Sequence, residues 1–216
     1  MTYPLITKDF KTDAVILGNG DYPANPILGD ILKNAKFLCC CDDAGRRFIQ
    51  HGGMPDAIVG DGDSLPDEFK ERYKNILHLI AEQDSNDQTK STRFCAERGY
   101  KDIAYLGATG LREDHTLGNI TLLISYLRDY GVSPTMITNY GYFTPAKGEN
   151  IFKTFKHQQV SIFNFGCTSL KGEGLVYELS AFTELWQGTL NEAQGDEVKI
   201  NGDGYYMVYR TFEPKI

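Results

Sequence analysis

Short apolar runs alternate with helical segments through about the first two-thirds of this chain, and this alternation limits the possible folds more than any other feature. The apolar runs, each three to five residues long, cover residues 14–17, 37–41, 57–59, 76–80 and 103–106. The segments with helical patterns cover residues 26–34, 45–51, 67–73, 87–98 and 115–130. This order predicts an α/β fold with a mostly parallel, Rossmann-like sheet and flanking helices.

From about Asn139 onward the pattern changes to β-rich runs separated by glycine turns. These runs cover residues 151–155, 159–163, 174–179, 197–200 and 205–209. Such spacing predicts a smaller C-terminal antiparallel β-sandwich. We therefore expect two domains, an α/β domain over residues 1–138 and a β-sandwich domain over residues 139–216.

Charge and composition exclude several classes of partner. The formal net charge is −7, and the sequence contains no basic run, which argues against nucleic acid or an anionic membrane as the main partner. No apolar run approaches the roughly 20 residues of a spanning helix, and the first residues lack a signal pattern. Five cysteines without a Cys-x-x-Cys pair predict neither a disulfide framework nor a zinc site. We expect a cytoplasmic protein.

Two aspartates, Asp61 and Asp63, stand two residues apart where the third apolar run ends. Side chains at positions i and i+2 of an extended segment face the same way, and the glycines Gly60 and Gly62 relax the backbone between them. Carboxylate oxygens are suitable ligands for Mg²⁺, which commonly reaches substrate phosphates through its remaining sites. An acidic turn ending at Ser64 is the alternative interpretation of the spacing alone.

Acidic and polar residues also follow the other predicted strands. Asp42 follows the second strand, and the group Gln83, Asp84 and Asp87 follows the fourth. Ligands of doubly wound sheets lie beyond the carboxyl ends of the strands, so these side chains are expected to gather at one edge. This repeated placement favours a metal site over a solvated acidic rim.

The segment from Gly107 to Arg112 carries a different chemistry. Its small residues allow backbone N–H groups to approach an anion, and the Arg112 guanidinium can bind two phosphate oxygens at once. It is neither a Walker A loop nor a dinucleotide-binding GxGxxG motif. Asp114 and His115 then open the next helix, where His115 is open to both a structural and a catalytic role.

Taken in order, these segments resemble the motifs of the thiamine pyrophosphokinase family. The residues that match the three acidic motifs are Pro55, Asp56, Gly60, Asp61, Asp63 and Ser64, then Gln83, Asp84, Asp87 and Lys90, then Gly110, Arg112, Asp114, His115 and Asn119. Asn86 and Leu111 depart from that pattern, standing where the family has Thr and Gly. In the β-rich part, residues 188–192 are similar to a Gly-x-Ser-Asn-Glu element, with Leu190 in the Ser position.

The resemblance implies transfer of a diphosphoryl group from ATP to the hydroxyethyl oxygen of thiamine, with Mg²⁺ as the cofactor. It implies that Mg²⁺ is bound by Asp61, Asp63 and Asp87, with Asp42 and Asp114 as further ligands or neighbours of ligands. Arg112 is expected to hold the phosphates with help from Lys90, and Asp114 or a metal-bound carboxylate is expected to accept the hydroxyl proton. Residues expected to line the substrate site are Gln83, Gly110, His115 and Asn119.

The resemblance further implies a homodimer whose active site joins the α/β domain of one chain to the β-rich domain of the other. In the β-rich domain the positive thiazolium is expected to stack on Tyr206, with Trp186 as the second choice, because an aromatic face attracts a cation. Packing in the sandwich core is the alternative for Tyr206. Two other functions stay open: a metal-dependent glycosyltransferase or nucleotide hydrolase using Asp61 and Asp63, and a nucleotide-sensing module without turnover.

Overall fold

The structure, a computed structural model, describes residues 1–214 and divides into two compact units. One unit is Lys8–Asn139, and the other combines Met1–Thr7 with the chain from Tyr140 onward. The predicted assignment of the first residues to the α/β domain is therefore wrong. Strand β1 (Thr2–Tyr3) pairs in parallel with Ile151 and Phe152, and the Tyr3 and Phe152 rings stack with centroids 4.9 Å apart.

The α/β unit contains a parallel sheet with helices between its strands. Its strands are β2 (Ala14–Leu17), β3 (Leu38–Cys41), β4 (Ala57–Gly60), β5 (Leu77–Leu79), β6 (Asp102–Leu106) and β7 (Ser133–Ile137). The helices are α1 (Pro26–Lys33), α2 (Asp43–Gln50), α3 (Asp67–Arg72), α4 (Asp87–Glu97) and α5 (Glu113–Asp129). Within this unit the strands lie in the order β7-β6-β2-β3-β4-β5, every pair parallel.

Local sequence explains the ends of these elements. All four residues of β2, β3 and β4 are buried, as expected for parallel strands that are covered on both faces. The Asn86 side chain caps α4 by accepting the Thr89 N–H at 2.9 Å. Gly99 follows that helix with φ +87°, a left-handed conformation that glycine adopts without strain.

The second unit is built around two long antiparallel strands. They are β8 (Gly141–Lys153) and β12 (Glu197–Pro214), and the shorter strands are β9 (Gln158–Phe165), β10 (Leu170–Glu173) and β11 (Asn191–Glu192). A register shift between Gly202 and Tyr205 interrupts β12, which pairs with β10 before that point and with β9 after it. Both halves contribute to one apolar core, with Val198 and Ile200 before the shift and Val208 after it.

The predicted fold class is confirmed, and three predicted details in the β-rich part of the chain and before it are corrected. The segments 197–200 and 205–209 belong to one strand, because the glycines between them form a bulge and not a turn. The segment 174–179 is not a strand, and the strand before it is β10. Strand β7 was missed in the sequence, since Pro134 lowers the strand propensity of that run. No helix within residues 1–214 is long and apolar enough to cross a membrane.

Candidate active site

A cavity of about 680 Å³ lies in the α/β unit at the carboxyl ends of strands β2 to β6. The residues that line it are 18–20, 41–43, 61, 64, 83–88, 90, 107–108, 110–112, 115 and 119. The cavity thus brings together the ends of five parallel strands. This is the position that the sequence predicted for the acidic residues.

Lys90 is the charged group at the centre of the acidic side of the cavity. Its side chain is only 1 % exposed, and its Nζ lies 3.6 Å from Asp61 Oδ2 and 3.5 Å from Asp87 Oδ1. The two carboxylates come from different elements, Asp61 from the loop after β4 and Asp87 from the first turn of α4. One buried ammonium therefore bridges the two aspartates that the sequence assigned to a metal.

The two aspartates have different electrostatic environments. Burial raises the pKa of Asp87, and the neighbouring Asp42 and Asp61 carboxylates raise it further against the opposing effect of Lys90. The N–H of Asp63, which donates to Asp61 Oδ1 at 3.0 Å, lowers the pKa of Asp61, with smaller contributions from Gln83 and Lys90. Asp61 is thus the carboxylate whose charge the local structure favours more.

Asp42 holds the loop that carries Asp61. Asp42 is buried, its Oδ1 accepts the Gly62 N–H at 3.1 Å, and its Oδ2 accepts the Ser64 hydroxyl. A Cβ at Gly60 would lie 2.7 Å from the Asp42 Cβ, so only glycine fits there. The Asp42 backbone has φ 41° and ψ −118°, a region that non-glycine residues rarely adopt. The structure therefore uses Asp42 to position the Asp61 loop.

Polar side chains connect the remaining walls of the cavity. Gln83 Nε2 donates to Asp61 Oδ2 at 3.4 Å, at the outer limit of a hydrogen bond. Asn119 Oδ1 accepts from Asn86 Nδ2 at 2.9 Å, and Asn119 Nδ2 donates to the Ala108 carbonyl at 2.8 Å. Asn119 on α5 thus joins the start of α4 to the loop after β6.

A second glycine loop, Gly18-Asn-Gly20 after β2, lines the cavity and was missed in the sequence. It packs backbone to backbone against the loop after β6: the Gly20 N–H donates to the Gly107 carbonyl at 2.7 Å. A Cβ at Gly20 would lie 2.2 Å from the Thr109 carbonyl oxygen, so no larger residue fits. The signal was a Gly-Asn-Gly sequence directly after a strand, the same kind of signal that identified the Gly107 loop.

The structure brings Gly110, Arg112 and His115 to the cavity but leaves Asp114 outside its lining. The Arg112 side chain is 71 % exposed, and its Nη2 lies 2.6 Å from Asp114 Oδ2. This hydrogen-bonded arginine lowers the pKa of Asp114. Leu111, between Gly110 and Arg112, has φ +63° and an exposed side chain, so the departure from glycine there places an apolar group at the rim in a strained conformation.

The predicted set of three metal-binding carboxylates is not assembled. Asp63 is exposed and does not line the cavity. Within residues 1–214, no three His, Cys, Asp or Glu side chains form a group that could hold a metal ion by themselves. Mg²⁺ commonly uses one or two protein carboxylates and completes its coordination with phosphate oxygens and water. Asp61 and Asp87, which already share one cation, fit that smaller role.

The prediction that Tyr206 stacks on a ligand is wrong. Tyr206 is 0 % exposed in the core of the second unit, so its ring has no free face to offer. Its hydroxyl accepts from Asn150 Nδ2 at 2.8 Å and donates to the Gly148 carbonyl at 3.0 Å, and burial raises its pKa. Trp186, in a 3₁₀ helix at Leu185–Gly188, is 72 % exposed and stays a prediction.

Fold and cavity together define the class: an α/β protein with a polar cavity at the ends of its parallel strands, joined to a β-sheet unit. Comparison with known families then gives the identity. Residues 28–132 match "Thiamin pyrophosphokinase, catalytic domain", and residues 141–209 match "Thiamin pyrophosphokinase, substrate-binding domain". The chain belongs to the thiamin pyrophosphokinase family, which confirms the resemblance found in its motifs.

The sequence is also similar to those of individual proteins named as thiamin pyrophosphokinases. The chain is 27 % identical over 132 residues to a thiamin pyrophosphokinase of Caenorhabditis elegans, covering 56 % of this chain and 54 % of the relative. It is 38 % identical over 141 residues to a thiamine pyrophosphokinase of rice (Oryza sativa subsp. japonica), covering 52 % of each. The chain therefore spans about half the length of these curated relatives.

Solved structures share the fold across nearly the whole chain. The thiamin pyrophosphokinase from Candida albicans has a TM-score of 0.79 at 18 % identity, covering 98 % of this chain and 94 % of that one. The Bacillus subtilis structure has a TM-score of 0.75 at 20 % identity, covering 92 % and 98 %. At this level of identity the structures show the fold alone.

Proposed function

We propose that this protein transfers the diphosphoryl group of ATP to the hydroxyethyl oxygen of thiamine, giving thiamine diphosphate and AMP. The observation that carries the proposal is the cavity, lined mostly by residues of the catalytic-domain match, where two carboxylates, a buried ammonium and two glycine loops come together. The match of residues 141–209 to the substrate-binding domain supports thiamine as the acceptor.

The residues of the cavity divide between anion binding and cation binding. Gly18, Gly20 and Gly107 have no side chains that would keep a triphosphate away from these loops. The Arg112 side chain is paired with Asp114 but is 71 % exposed, so its guanidinium can reach phosphate oxygens. Elsewhere in the cavity, the three carboxyl groups of Asp42, Asp61 and Asp87 lie near the single ammonium of Lys90. This imbalance favours an additional cation.

We further propose Mg²⁺ as that cation, held by Asp61 and Asp87. When bound, the ion would polarise phosphate oxygens and offset the charge that develops on them. The protein's own groups supply the rest: Lys90 fixes the two carboxylates in place, and Asp42 fixes the loop of Asp61. Asp63 and Asp114, which do not line the cavity, have supporting roles in this proposal.

A cytoplasmic homodimer is part of the same proposal. All five cysteines are free and buried, which is typical of a protein kept in a reducing compartment. Exposed apolar side chains of the second unit, Tyr177, Trp186 and Leu190 among them, are the kind of surface that a partner chain would cover. Light scattering at catalytically active concentrations tests the dimer, and a monomer would refute a shared site.

The decisive experiment is to incubate the purified protein with ATP, thiamine and Mg²⁺ and to measure both products. The proposal expects thiamine diphosphate and AMP in equal amounts, with no AMP when thiamine is left out. Release of ADP or phosphate without thiamine would indicate a nucleotide hydrolase. Nucleotide binding without turnover would indicate a sensing module, and transfer of a sugar from a nucleotide sugar would indicate a glycosyltransferase.

A further inference from the structure

Glu82 binds four groups at once, although it does not line the cavity and was not among the candidate residues that the sequence identified. Its Oε2 accepts the backbone N–H of Asp84 at 2.8 Å and that of Ser85 at 3.1 Å. Its Oε1 accepts the Ser85 hydroxyl and lies 2.6 Å from Arg93 Nη2. A single carboxylate therefore closes a tight turn and ties it to helix α4.

The turn held in this way forms part of the cavity wall. Gln83, Asp84 and Ser85 all line the cavity, and Gln83 is the residue that donates to Asp61. The other end of the segment is fixed by Asn86, which caps α4. Glu82 is thus the anchor at one end of a short segment whose three inner residues face the site.

The Glu82 carboxylate is charged, and it pairs with an arginine of the helix that carries two of the central charged residues of the cavity. Arg93 lies on α4, the same helix that carries Asp87 and Lys90. The Ser85 hydroxyl and Arg93 lower the pKa of Glu82 to about 2, so its carboxylate stays ionised through the neutral range. Hydrogen bonds to an ionised carboxylate are stronger than those between neutral groups. The geometry therefore links the position of the Gln83–Ser85 segment to that of helix α4.

We propose that Glu82 is a positioning residue that holds the Gln83–Ser85 segment in the form that the substrates bind. Its effect on turnover rests on the proposed kinase function, whereas its effect on the segment does not. Removing the carboxylate leaves two backbone N–H groups and one hydroxyl without their acceptor, and frees Arg93 from the loop.

The test compares Glu82→Ala with Glu97→Ala. Glu97 is an exposed glutamate of α4, one helical turn after Arg93. It also raises the pKa of Arg93, although less than Glu82 does. The control therefore removes the same charge near the same arginine without touching the turn. Amide hydrogen exchange at Asp84 and Ser85 reports the anchor directly, in the free protein and without any substrate.

We expect exchange at these two amides to increase about tenfold or more in Glu82→Ala, the change that corresponds to losing hydrogen bonds to a charged acceptor. Glu97→Ala should leave the exchange unchanged. Unchanged exchange in Glu82→Ala, or an equal increase in both variants, would overturn the proposed anchor. This result stands whether or not the wild-type protein forms thiamine diphosphate.

Kinetics then test positioning against a merely structural role. We expect Glu82→Ala to lower kcat/KM for thiamine diphosphate formation about tenfold or more, while the melting temperatures of both variants stay close to that of the wild type. A Glu82→Ala protein with faster exchange at the turn but unchanged kcat and unchanged KM for both substrates would overturn the positioning role.

Discussion

The buried ammonium of Lys90 offers the sharpest test of how this site is built, through the substitution Lys90→Met. Methionine retains an unbranched apolar chain of similar length but removes the charge that lies 3.6 Å from Asp61 and 3.5 Å from Asp87. The two carboxylates then face each other without a cation. We expect the variant to fold and to be less stable than the wild type.

The expected loss follows from the burial of the three groups. A pair of unit charges 3.5 Å apart is worth about 5 kcal/mol at an effective dielectric constant of about 20. The cost of burying the ammonium offsets much of this, and solvent screens carboxylates that are 21 % and 33 % exposed. We therefore expect a decrease of about 2–3 kcal/mol in the free energy of unfolding, below the roughly 3–5 kcal/mol measured when fully buried pairs are broken.

Lys70→Met provides a matched control for that measurement. Lys70 Nζ lies 3.7 Å from Asp67 Oδ1, a similar distance, but its side chain is 32 % exposed and that of Asp67 is fully exposed. An exposed pair of this kind contributes about 0–1 kcal/mol. Urea unfolding of both variants in EDTA gives the comparison, and equal losses, or a gain in Lys90→Met, would refute the role assigned to Lys90. Mg²⁺ should then restore part of the lost stability of Lys90→Met, since a cation bound between the carboxylates would replace the ammonium.

Four other predictions test separate parts of the site. Asp61→Asn should lower turnover on the order of a hundredfold or more. Asp63→Asn should lower turnover far less, because Asp61 lines the cavity and Asp63 does not. Equal steady-state rates of the two variants at limiting Mg²⁺ would contradict this difference. Arg112→Lys should lower kcat/KM for ATP about tenfold, because lysine cannot bind two phosphate oxygens in a planar fork, and unchanged ATP kinetics would assign Arg112 a structural role. Burial raises the pKa of Cys41 to about 12, so at pH 9 a thiol reagent should modify Cys41 of the native protein no faster than the protein unfolds. Rapid labelling at Cys41 would show that its thiol is accessible from the cavity. Trp186→Ala should raise the KM for thiamine several-fold and leave that for ATP unchanged, whereas equal effects on both substrates would argue against stacking.

The sequence predicted the parts of the fold in which each strand is a short, buried apolar run. Residues 14–17, for example, form β2 with the predicted bounds, and helix α1 begins at the predicted Pro26. The prediction from sequence was wrong where glycine, which occurs both in turns and in bulges, had to be interpreted. The glycines at 202 and 204 resemble a hairpin turn in sequence, but in the structure they accompany a bulge within the 18-residue strand β12.

The site was predictable to the extent that its chemistry depends on charge. Asp61, Asp87 and Lys90 were found from their order along the chain, and the structure brings them together. The Gly18 loop was missed because it contributes backbone groups and no charged side chain at the cavity. Tyr206 could not be assigned from sequence, because the bulge in β12 decides which side chains of that strand face the core.

The pairing of β1 with β8 has a consequence for how the chain is assembled and how it can be divided. Thr2 and Tyr3 can pair only after Ile151 and Phe152 have been synthesised. The whole α/β unit therefore lies in the chain between the two paired segments of the second unit. The α/β unit, whose five parallel strand pairs all lie within residues 8–139, is able to form while the later strands are still being synthesised. A fragment that starts at Tyr140 would lack β1 and the Tyr3 ring that stacks on Phe152. The β-rich unit is therefore complete only when residues 1–7 are present together with the chain from Tyr140 onward.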